Sequence, residues 1–371
     1  MHQKHPKIAR PEQRTYGRIA YSLVGTTCAR IEAIMESWLN IAGEDYRCLG
    51  VTGDHGEVTW ASQGQHDSRQ WMSPQGQWNE YDDRLQARTY DLALVNGNHY
   101  PAEKQIVFLD AQKSGTLERR SEQLTDIAAI VKVKPEDTVP HWLQAKLDTD
   151  QIEVNIYEFK NIIEILNDTI LPTAQSRIPV LKALILAGGK SSRMGQDKAE
   201  LVYRNGISES ERLTEICREL GLEVHHSVQT TDPGAIVPQI GDRFLGLGPL
   251  GAIASAFLHE PDTAWLVLAC DLPLLEKADL ATLLAKRDSR KYATALRGAS
   301  RPFPEPLIAI YEPRAYERIL RFLSLGYACP RKVLINSDIA TLSVRNEQPL
   351  TNANTPEERA KVIDLLNEPI R

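Results

Sequence analysis

The sequence predicts an α/β protein of two domains, each with a sheet between two layers of helices. The chain has 371 residues, which suits two domains at roughly 100–200 residues each. Short apolar runs alternate with segments of helical periodicity in two separate series, as is typical of β-α-β units with parallel strands. Residues 171–179, bracketed by prolines, separate the two series and are predicted to be a linker.

The first series predicts a domain over residues 15–170, preceded by a loose tail at 1–14. A buried strand over 19–24 leads through a glycine turn into a helix over 31–39. An amphipathic helix over 152–166 closes the domain. Further strands are predicted at 47–52, 92–95, 105–109 and 127–131.

The second series predicts a domain over residues 180–371, again with strands and helices in alternation. Its strands are predicted at 182–187, 223–227, 265–269, 293–296 and 307–311.

Composition excludes several classes of protein. A net charge of −6 argues against nucleic-acid binding through a basic surface. No run approaches 18 apolar residues, and no apolar stretch follows the basic N-terminus, so neither a membrane span nor a secretory signal is expected. The five cysteines are scattered without a Cys-x-x-Cys pair, which favours a reduced, cytoplasmic protein over a zinc ribbon or a disulfide framework.

The strongest motif is a glycine loop at the end of the first strand of the second domain. Residues 187–198 read Ala-Gly-Gly-Lys-Ser-Ser-Arg-Met-Gly-Gln-Asp-Lys. The paired glycines Gly188 and Gly189 allow the backbone to approach a ligand closely, and Arg193 and Lys198 add positive charge where a triphosphate would lie. The loop matches neither the P-loop nor the dinucleotide fingerprint. The alternative is a solvated glycine-rich turn with basic flanks.

This string resembles the signature of the molybdenum cofactor guanylyltransferase family, Leu-Ala-Gly-Gly-x-x-x-Arg-Met-Gly-x-Asp-Lys. The resemblance continues in order over residues 180–365 and implies a Rossmann-like nucleotidyltransferase fold. The later motifs are Gly241-Asp242-Arg243, Gly248-Pro249-Leu250, Cys270-Asp271-Leu272-Pro273, Glu305-Pro306-Leu307, Arg331-Lys332-Val333 and Asn352-Ala353-Asn354-Thr355-Pro356.

The resemblance implies transfer of GMP from GTP to molybdopterin, the organic part of the molybdenum cofactor, with release of pyrophosphate. The pair Gly188-Gly189 favours GTP, since the cytidylyl branch of the family tends to have Ala-Gly there. Two alternatives remain open. One is a cytidylyltransferase or another transferase acting on a phosphorylated acceptor, and the other is a non-catalytic protein that binds or delivers molybdopterin.

The resemblance also implies roles for individual residues. Asp271 is expected to hold Mg²⁺ and to be catalytic together with Arg193 and Lys198. The expected nucleotide-binding residues are Leu186, Ala187, Gly188, Gly189, Lys198, Asp242, Gly248 and Pro249, and the expected acceptor-binding residues are Asn352 and Asn354.

Several of these residues have structural alternatives, and Lys198 could be a solvated surface lysine. Asp271 could instead cap a helix over 272–283, and Asp242 could be a turn residue beside a glycine. Asn354 or Thr355 is a candidate N-cap of the last helix, a role that is compatible with binding.

Two segments depart from the family pattern. Residues 205–210, Asn-Gly-Ile-Ser-Glu-Ser, stand where the family commonly has Gly-Lys-Pro-Leu. Residues 224–229, Val-His-His-Ser-Val-Gln, replace an asparagine-containing stretch that contacts the base in relatives. Gln229 or Ser227 is a candidate substitute. The neighbouring His225 and His226 point to opposite sides of a strand, and a structural role is favoured for both.

The first domain resembles, more weakly, the GTP-binding adaptor that accompanies these guanylyltransferases. Residues 91–97, Asp-Leu-Ala-Leu-Val-Asn-Gly, are similar to its Asp-Leu-Val-Leu-Val-Glu-Gly segment. Residues 25–30 stand at the place of a phosphate loop but lack its Gly-Lys pair, so we predict a degenerate P-loop-like fold without GTP hydrolysis. Such a domain is expected to dock substrate or a partner, such as a client molybdoenzyme or a cofactor-biosynthesis protein. Asp54, His55, Asn98 and His99 lie at predicted strand ends and could converge on one cleft that holds a metal or a pterin, although ordinary polar loop residues are the favoured interpretation.

Overall fold

The computed structural model describes residues 19–53, 69–72, 90–188, 201–204, 206–353 and 355–367. The chain divides into two compact units between Ile178 and Pro179. Each unit contains a seven-stranded sheet with helices, which confirms the predicted α/β class. Within the described residues, no helix has the length and apolar character that crossing a membrane requires.

The first unit is built on a sheet whose described strand pairs are all parallel. The strands are β1 (Ile19–Val24), β2 (Cys48–Val51), β3 (Arg69–Met72), β4 (Leu92–Asn96), β5 (Lys104–Leu109), β6 (Ile127–Lys132) and β7 (Ile156–Glu158). The helices are α1 (Cys28–Ala42), α2 (Ser114–Glu118), α3 (His141–Asp150) and α4 (Ile162–Ser176). The strand order is β3-β2-β4-β1-β5-β6-β7.

The segment between the two domains differs from its prediction. The helix predicted over 152–166 begins at Ile162, because residues 156–158 extend the edge of the sheet as β7. That helix also continues to Ser176, so most of the predicted linker 171–179 is helical, with Pro172 inside it. An interior proline costs a helix about 3 kcal/mol. Burial of the apolar face of α4 offsets this cost, through Ile165, Leu166, Ile170 and Ala174.

Side chains of the first unit form a hydrogen-bonded cluster after β1, where a phosphate loop would follow the strand. Residues 25–27 join β1 directly to α1. Thr26 donates a hydrogen bond of 2.6 Å to the buried Asp110, and Arg30 donates one of 2.7 Å to the same oxygen. The amide of Asn98 donates to the carbonyl of Thr26 at 2.8 Å. Arg30, which lies in the first turn of α1 after this strand, is therefore engaged within the protein, and the P-loop-like assignment stays a prediction.

Because of this cluster, we expect the free energy of unfolding of the first unit to fall at acid pH. Burial by itself raises the pKa of Asp110, but the hydrogen bonds from Thr26 and from the Gln112 backbone and the charge of Arg30 outweigh it, so the pKa is lowered. A lowered pKa in the folded state contributes stability above the unfolded-state value of about 3.9, and this contribution is lost as the pH falls through the folded-state value.

The measurement is denaturant unfolding of the wild-type chain and of Asp110→Asn between pH 3 and 7. The variant is expected to be less stable by about 1–3 kcal/mol at neutral pH. The difference should shrink as the pH falls from about 5 towards 3. A difference that does not change with pH would contradict the ionised Asp110–Arg30 pair.

The second unit has a mixed sheet and a small hairpin. The strands are β8 (Leu181–Leu186), β9 (Val202–Arg204), β10 (Ile207–Ser208), β11 (Val224–Val228), β12 (Gln239–Gly241), β13 (Ala264–Ala269), β14 (Ala293–Gly298), β15 (Ile308–Tyr311) and β16 (Ala340–Val344). The helices are α5 (Glu209–Glu219), α6 (Gly248–His259), α7 (Lys277–Ala285), α8 (Ala315–Ser324), α9 (Pro330–Ile335) and α10 (Pro356–Asn367). The five predicted strands are confirmed to within two residues at either end.

The sheet order is β12-β11-β8-β13-β15-β14-β16, and β15 runs antiparallel to both of its neighbours. Successive residues of β13 point to opposite faces, so the unit has two apolar cores. Leu266 packs in the core that includes Leu213 of α5 and Leu280 of α7. Trp265 packs in the core that includes Phe257 of α6 and Ile319 of α8. Helices therefore cover both faces, as predicted.

Candidate active site

Four neighbouring parallel strands of the second unit, β12, β11, β8 and β13, end at the same edge of the sheet. The residues that follow them are Asp242, Gln229, Ala187 with Gly188, and Cys270 with Asp271, in that spatial order. Ligands of open α/β sheets bind outside the carboxyl ends of strands. The strand order therefore places three of the predicted motifs, together with the candidate base contact Gln229, along one edge.

Gly188 lies against the end of the neighbouring strand. A Cβ atom at this position would be 2.8 Å from the Val228 Cα and 2.9 Å from the Gln229 amide nitrogen. No side chain fits at that distance, so the first glycine of the loop is required by backbone packing. The preceding Ala187 donates its N–H to the Ser227 carbonyl at 3.1 Å, while the side chain of Leu186 is half-buried.

Asp242 is joined to the same strand end through its backbone. Its N–H donates to the Val228 carbonyl at 2.9 Å. One carboxylate oxygen, Oδ1, is buried and has no hydrogen-bond partner among the described residues. Burial raises the pKa of Asp242. A simple turn residue would not need a buried oxygen without a donor, so this geometry favours a ligand-binding role over the turn alternative.

The segment after Asp242 leads into helix α6 at the same edge. Gly248, its first residue, has a φ of +58°, a left-handed conformation that favours glycine. Pro249 follows in the first turn, where its missing N–H costs nothing. The N–H groups of the first helical turn have no partner within the helix and suit an anion. This geometry suits the nucleotide-binding role expected of Gly248 and Pro249.

Asp271 and the predicted acceptor loop are connected. The Ala353 N–H donates to the Asp271 carbonyl at 2.9 Å, and the Ala353 side chain is fully buried. This bond holds the exposed Asn352 beside the end of β13. Asp271 itself is half-buried, and its carboxylate is close enough to Tyr203 to affect the pKa of that phenol.

The observed N-caps of helices α7 and α10 show which of the predicted capping roles are real. Helix α7 begins at Lys277, and Glu276 is its N-cap, so Asp271 does not cap it. Thr355 does cap α10, because its hydroxyl accepts from the Glu358 N–H at 3.2 Å. Asn352 takes no part in this cap. Four further predicted site residues, Gly189, Arg193, Lys198 and Asn354, lie outside the described residues.

A cleft adjoins Asn352 on the acceptor side. Its volume is about 410 Å³, and its lining includes the cations Arg301 and Lys361. Arg301 follows β14 and is paired with Glu305 at 2.7 Å, whereas Lys361 lies on the exposed face of α10. Neither residue was predicted from the sequence, because they are 60 positions apart in the chain and belong to no motif.

Tyr203 is a further residue that sequence reasoning missed. Its hydroxyl is buried and has no hydrogen-bond partner among the described residues. Burial raises its pKa to about 12, with smaller contributions from the negative charges of Glu209 and Asp271. Tyr203 is therefore a neutral donor near Asp271. Its only sequence signal is a place in the short run 201–204 after the glycine loop.

The structure distinguishes between the two candidate base contacts in residues 224–229, the segment that departs from the family pattern. Ser227 is buried in the sheet, whereas Gln229 is exposed at the strand end beside Gly188. Gln229 is therefore the better candidate. The ring of His226 contacts the Thr214 hydroxyl at 2.9 Å, which agrees with a structural role.

The residues at this edge fit a magnesium ion chemically. Mg²⁺ prefers carboxylate oxygens and is usually bound by one or two carboxylates together with substrate phosphates. Asp271 offers a half-buried carboxylate, and the Asp242 carboxylate has a buried oxygen without a donor.

Comparison with known proteins places this fold and site in a class. Residues 183–340 match the family model described as the MobA-like NTP transferase domain. The second unit is thus a nucleotidyltransferase domain.

Proteins of similar sequence define the family within the class of nucleotidyltransferases. The chain is 34% identical over 196 residues to a probable molybdenum cofactor guanylyltransferase of Carboxydothermus hydrogenoformans, a match covering 50% of this chain and 97% of that protein. It is 31% identical over 185 residues to a molybdenum cofactor biosynthesis bifunctional protein of Synechocystis sp., a match covering 49% of this chain and 53% of that protein. The chain therefore belongs to the molybdenum cofactor guanylyltransferase family.

A solved structure is also similar. Molybdopterin-guanine dinucleotide biosynthesis protein A from Archaeoglobus fulgidus aligns with 50% of this chain and 98% of its own, at a TM-score of 0.43 and 20% sequence identity.

Proposed function

We propose that the second unit transfers GMP from GTP to molybdopterin and releases pyrophosphate. An oxygen of the acceptor's terminal phosphate attacks the α-phosphorus of GTP, and the bond from that phosphorus to the pyrophosphate oxygen breaks. A phosphate monoester is already a nucleophile, so neither a general base nor a covalent enzyme intermediate is required. The observation that carries this proposal is the alignment of Gly188, Asp242 and Asp271 at one edge, with Asn352 held beside Asp271.

The nucleotide side of the reaction is assigned to the glycine loop and the start of α6. Gly188 allows close approach of the backbone, and Gln229 is the proposed base contact beside it. The first turn of α6, with Gly248 and Pro249, offers N–H groups to phosphate. By resemblance we assign phosphate contacts to Gly189, Arg193 and Lys198 as well. Catalysis then consists of positioning and charge neutralisation.

Asp271 is proposed to hold Mg²⁺, with the Asp242 carboxylate as a further oxygen donor on the nucleotide side. When bound, the ion would neutralise phosphate charge during transfer. The protein's part is to hold the Asp271 carboxylate at the end of β13, next to the acceptor loop. The neutral Tyr203 hydroxyl is available there as a hydrogen-bond donor.

The acceptor side is assigned to Asn352, Asn354 and the adjoining cleft. A molybdopterin phosphate carries negative charge, which Lys361 and Arg301 would attract. The Asn352 amide can donate to phosphate oxygens. Arg301 is shared with Glu305, so Lys361 is the more available cation.

The first unit is proposed to dock a partner rather than to hydrolyse nucleotide. Arg30 is bound to Asp110 in the place where a phosphate loop would lie. The proposed partners are a client molybdoenzyme or another protein of cofactor biosynthesis. None of the five cysteines, all of which lie within the described ranges, forms a disulfide, and we propose that the protein works in the reducing cytoplasm.

The test is an activity assay with the purified chain, Mg²⁺ and molybdopterin, comparing GTP with CTP, ATP and UTP. We expect pyrophosphate release with GTP at least about tenfold faster than with the other nucleotides. GTP without molybdopterin is the control and should give no release above background. Preference for CTP would instead indicate a cytidylyltransferase. No turnover with any nucleotide would contradict the proposal and favour another acceptor or a binding role.

A further inference from the structure

We propose that the second unit contains a separate Zn²⁺ site formed by His225, His259 and Glu260, away from the catalytic edge. His225 is the second residue of β11, so it lies near the amino end of that strand. His259 is the last residue of α6, and Glu260 is the C-cap of that helix. Helix α6 begins at the catalytic edge, so these three residues lie at its far end.

The three side chains already converge. Each offers one ligand atom, and these atoms lie within 4.8 Å of one another. The His259 Nε2 is 4.0 Å from the Glu260 Oε1. Two imidazole nitrogens and a carboxylate oxygen form a typical zinc ligand set, in which a water completes a tetrahedral site.

Within the described residues, one ring nitrogen of His225 has no hydrogen bond. The His225 side chain is only 7% exposed and packs edge-on to the Trp265 ring at 5.4 Å between centroids. Its Nδ1 has no hydrogen-bond partner among the described residues. Its Nε2 has a long contact of 3.5 Å to the Glu223 carboxylate. A buried imidazole with an unsatisfied nitrogen is costly unless a ligand uses it.

The charged groups around the site carry a net negative charge, although a lysine competes for one of the three ligands. Lys182 lies between Glu260, at 2.9 Å, and Glu223, at 3.1 Å. Two carboxylates and one ammonium leave a net charge of −1 beside the two imidazoles. Thr263 donates a hydrogen bond of 2.8 Å to the Glu260 carboxylate and orients it, as second-shell partners of metal ligands do. Zn²⁺ would share Glu260 with Lys182, which keeps Glu223 as its partner.

The site can close around the ion without moving the backbone. Zinc ligands at about 2.0–2.2 Å in a tetrahedron lie roughly 3.3 Å from one another. The present separations must therefore shrink by about 1.5 Å at most. The side chain of His259 is 54% exposed and free to adjust, whereas that of Glu260 is held by Thr263 and Lys182. His259 also lines an open cleft of about 380 Å³, which provides a path for the ion.

Zinc at this site would cross-link the C-terminal end of α6 to β11. A ligand that binds the folded chain and not the unfolded chain stabilises it. The other end of the same helix presents Gly248 and Pro249 to the nucleotide site. Zinc binding is therefore expected to raise the thermal stability of the second unit without supplying a catalytic group.

The test is equilibrium dialysis of the full, tag-free chain against Zn²⁺, with Mg²⁺ in excess to occupy the catalytic edge. His259→Ala is expected to bind one equivalent fewer than the wild type, or to bind it about 10–100-fold more weakly. The matched control is His141→Ala, which removes an exposed histidine of the first unit and should change nothing. Because His259 is exposed, its variant should fold, and circular dichroism checks that it does.

The variant Lys182→Met provides an independent test of the zinc site. Removing the competing ammonium should tighten Zn²⁺ binding about tenfold, whereas loss of a merely structural ion pair would not increase affinity for a metal. Zinc binding that is equal in His259→Ala and the wild type would overturn the proposal, and so would unchanged affinity in Lys182→Met. The readout is bound metal, so it is independent of transferase activity.

Discussion

Replacing Asp271 by alanine is expected to lower the rate of GMP transfer by about 100- to 1,000-fold. The carboxylate lies at the end of β13, and the backbone carbonyl of the same residue holds the acceptor loop at 2.9 Å. The substitution removes the proposed Mg²⁺ ligand but keeps the backbone bond. The effect should therefore fall on kcat, with a smaller change in the KM for molybdopterin. Steady-state measurement of pyrophosphate release with GTP checks this.

Asp364→Ala is the matched control, because it removes an exposed aspartate of the same unit on helix α10. It should retain wild-type rates. Thermal unfolding should show that Asp271→Ala is folded, since the side chain is only half-buried. Full activity of Asp271→Ala would contradict the assigned role and would favour a protein that binds or delivers molybdopterin without catalysis.

Replacing Gly188 by alanine is expected to lower kcat/KM for GTP by about 100-fold. The added Cβ would lie 2.8 Å from the Val228 Cα and 2.9 Å from the Gln229 amide nitrogen, and both are backbone atoms. The loop or the end of β11 must therefore shift by a few tenths of an ångström or more. A shift there displaces the proposed phosphate and base contacts together, so KM for GTP should rise while KM for molybdopterin changes less.

Gly234→Ala is the control for this substitution. Gly234 lies in an exposed loop of the same unit, and a Cβ there would meet its nearest atom, in the Asp232 side chain, at 3.4 Å. That is an ordinary contact, so activity and stability should be unchanged. An unchanged KM for GTP in Gly188→Ala would show that the nucleotide does not bind beside this loop.

Most sheet strands were predictable from the sequence, for a physical reason. Strands buried on both faces consist of continuous apolar runs, and all six residues of β13 are buried. The missed strands lack that signal. β16 alternates half-buried and exposed residues, and β12 has only three residues. The end of helix α4 was misplaced because Pro172 suggested a break that burial of the apolar face overrides, and its start because residues 156–158 join the sheet as β7.

Some residues of the candidate site were likewise predictable from the sequence, and others were not. Asp242, Asp271 and Gly188 could be named from motifs, because a resemblance depends only on residues close together in the chain. The cleft beside Asn352 could not, since Arg301 and Lys361 come from separate elements. Nor could the convergence of His225 with His259 and Glu260, which are more than 30 positions away in the chain.

By itself, then, the sequence determined the α/β class, most strands of both sheets and the motif that identifies a nucleotidyltransferase. These are local properties, set by the polarity of successive side chains and by short strings such as residues 187–198. Only the tertiary structure decided that the ends of β12, β11, β8 and β13 stand side by side, so that Asp242, Gly188 and Asp271 share one edge. Strand order and register join residues distant in the chain, and no local pattern encodes which strands become neighbours.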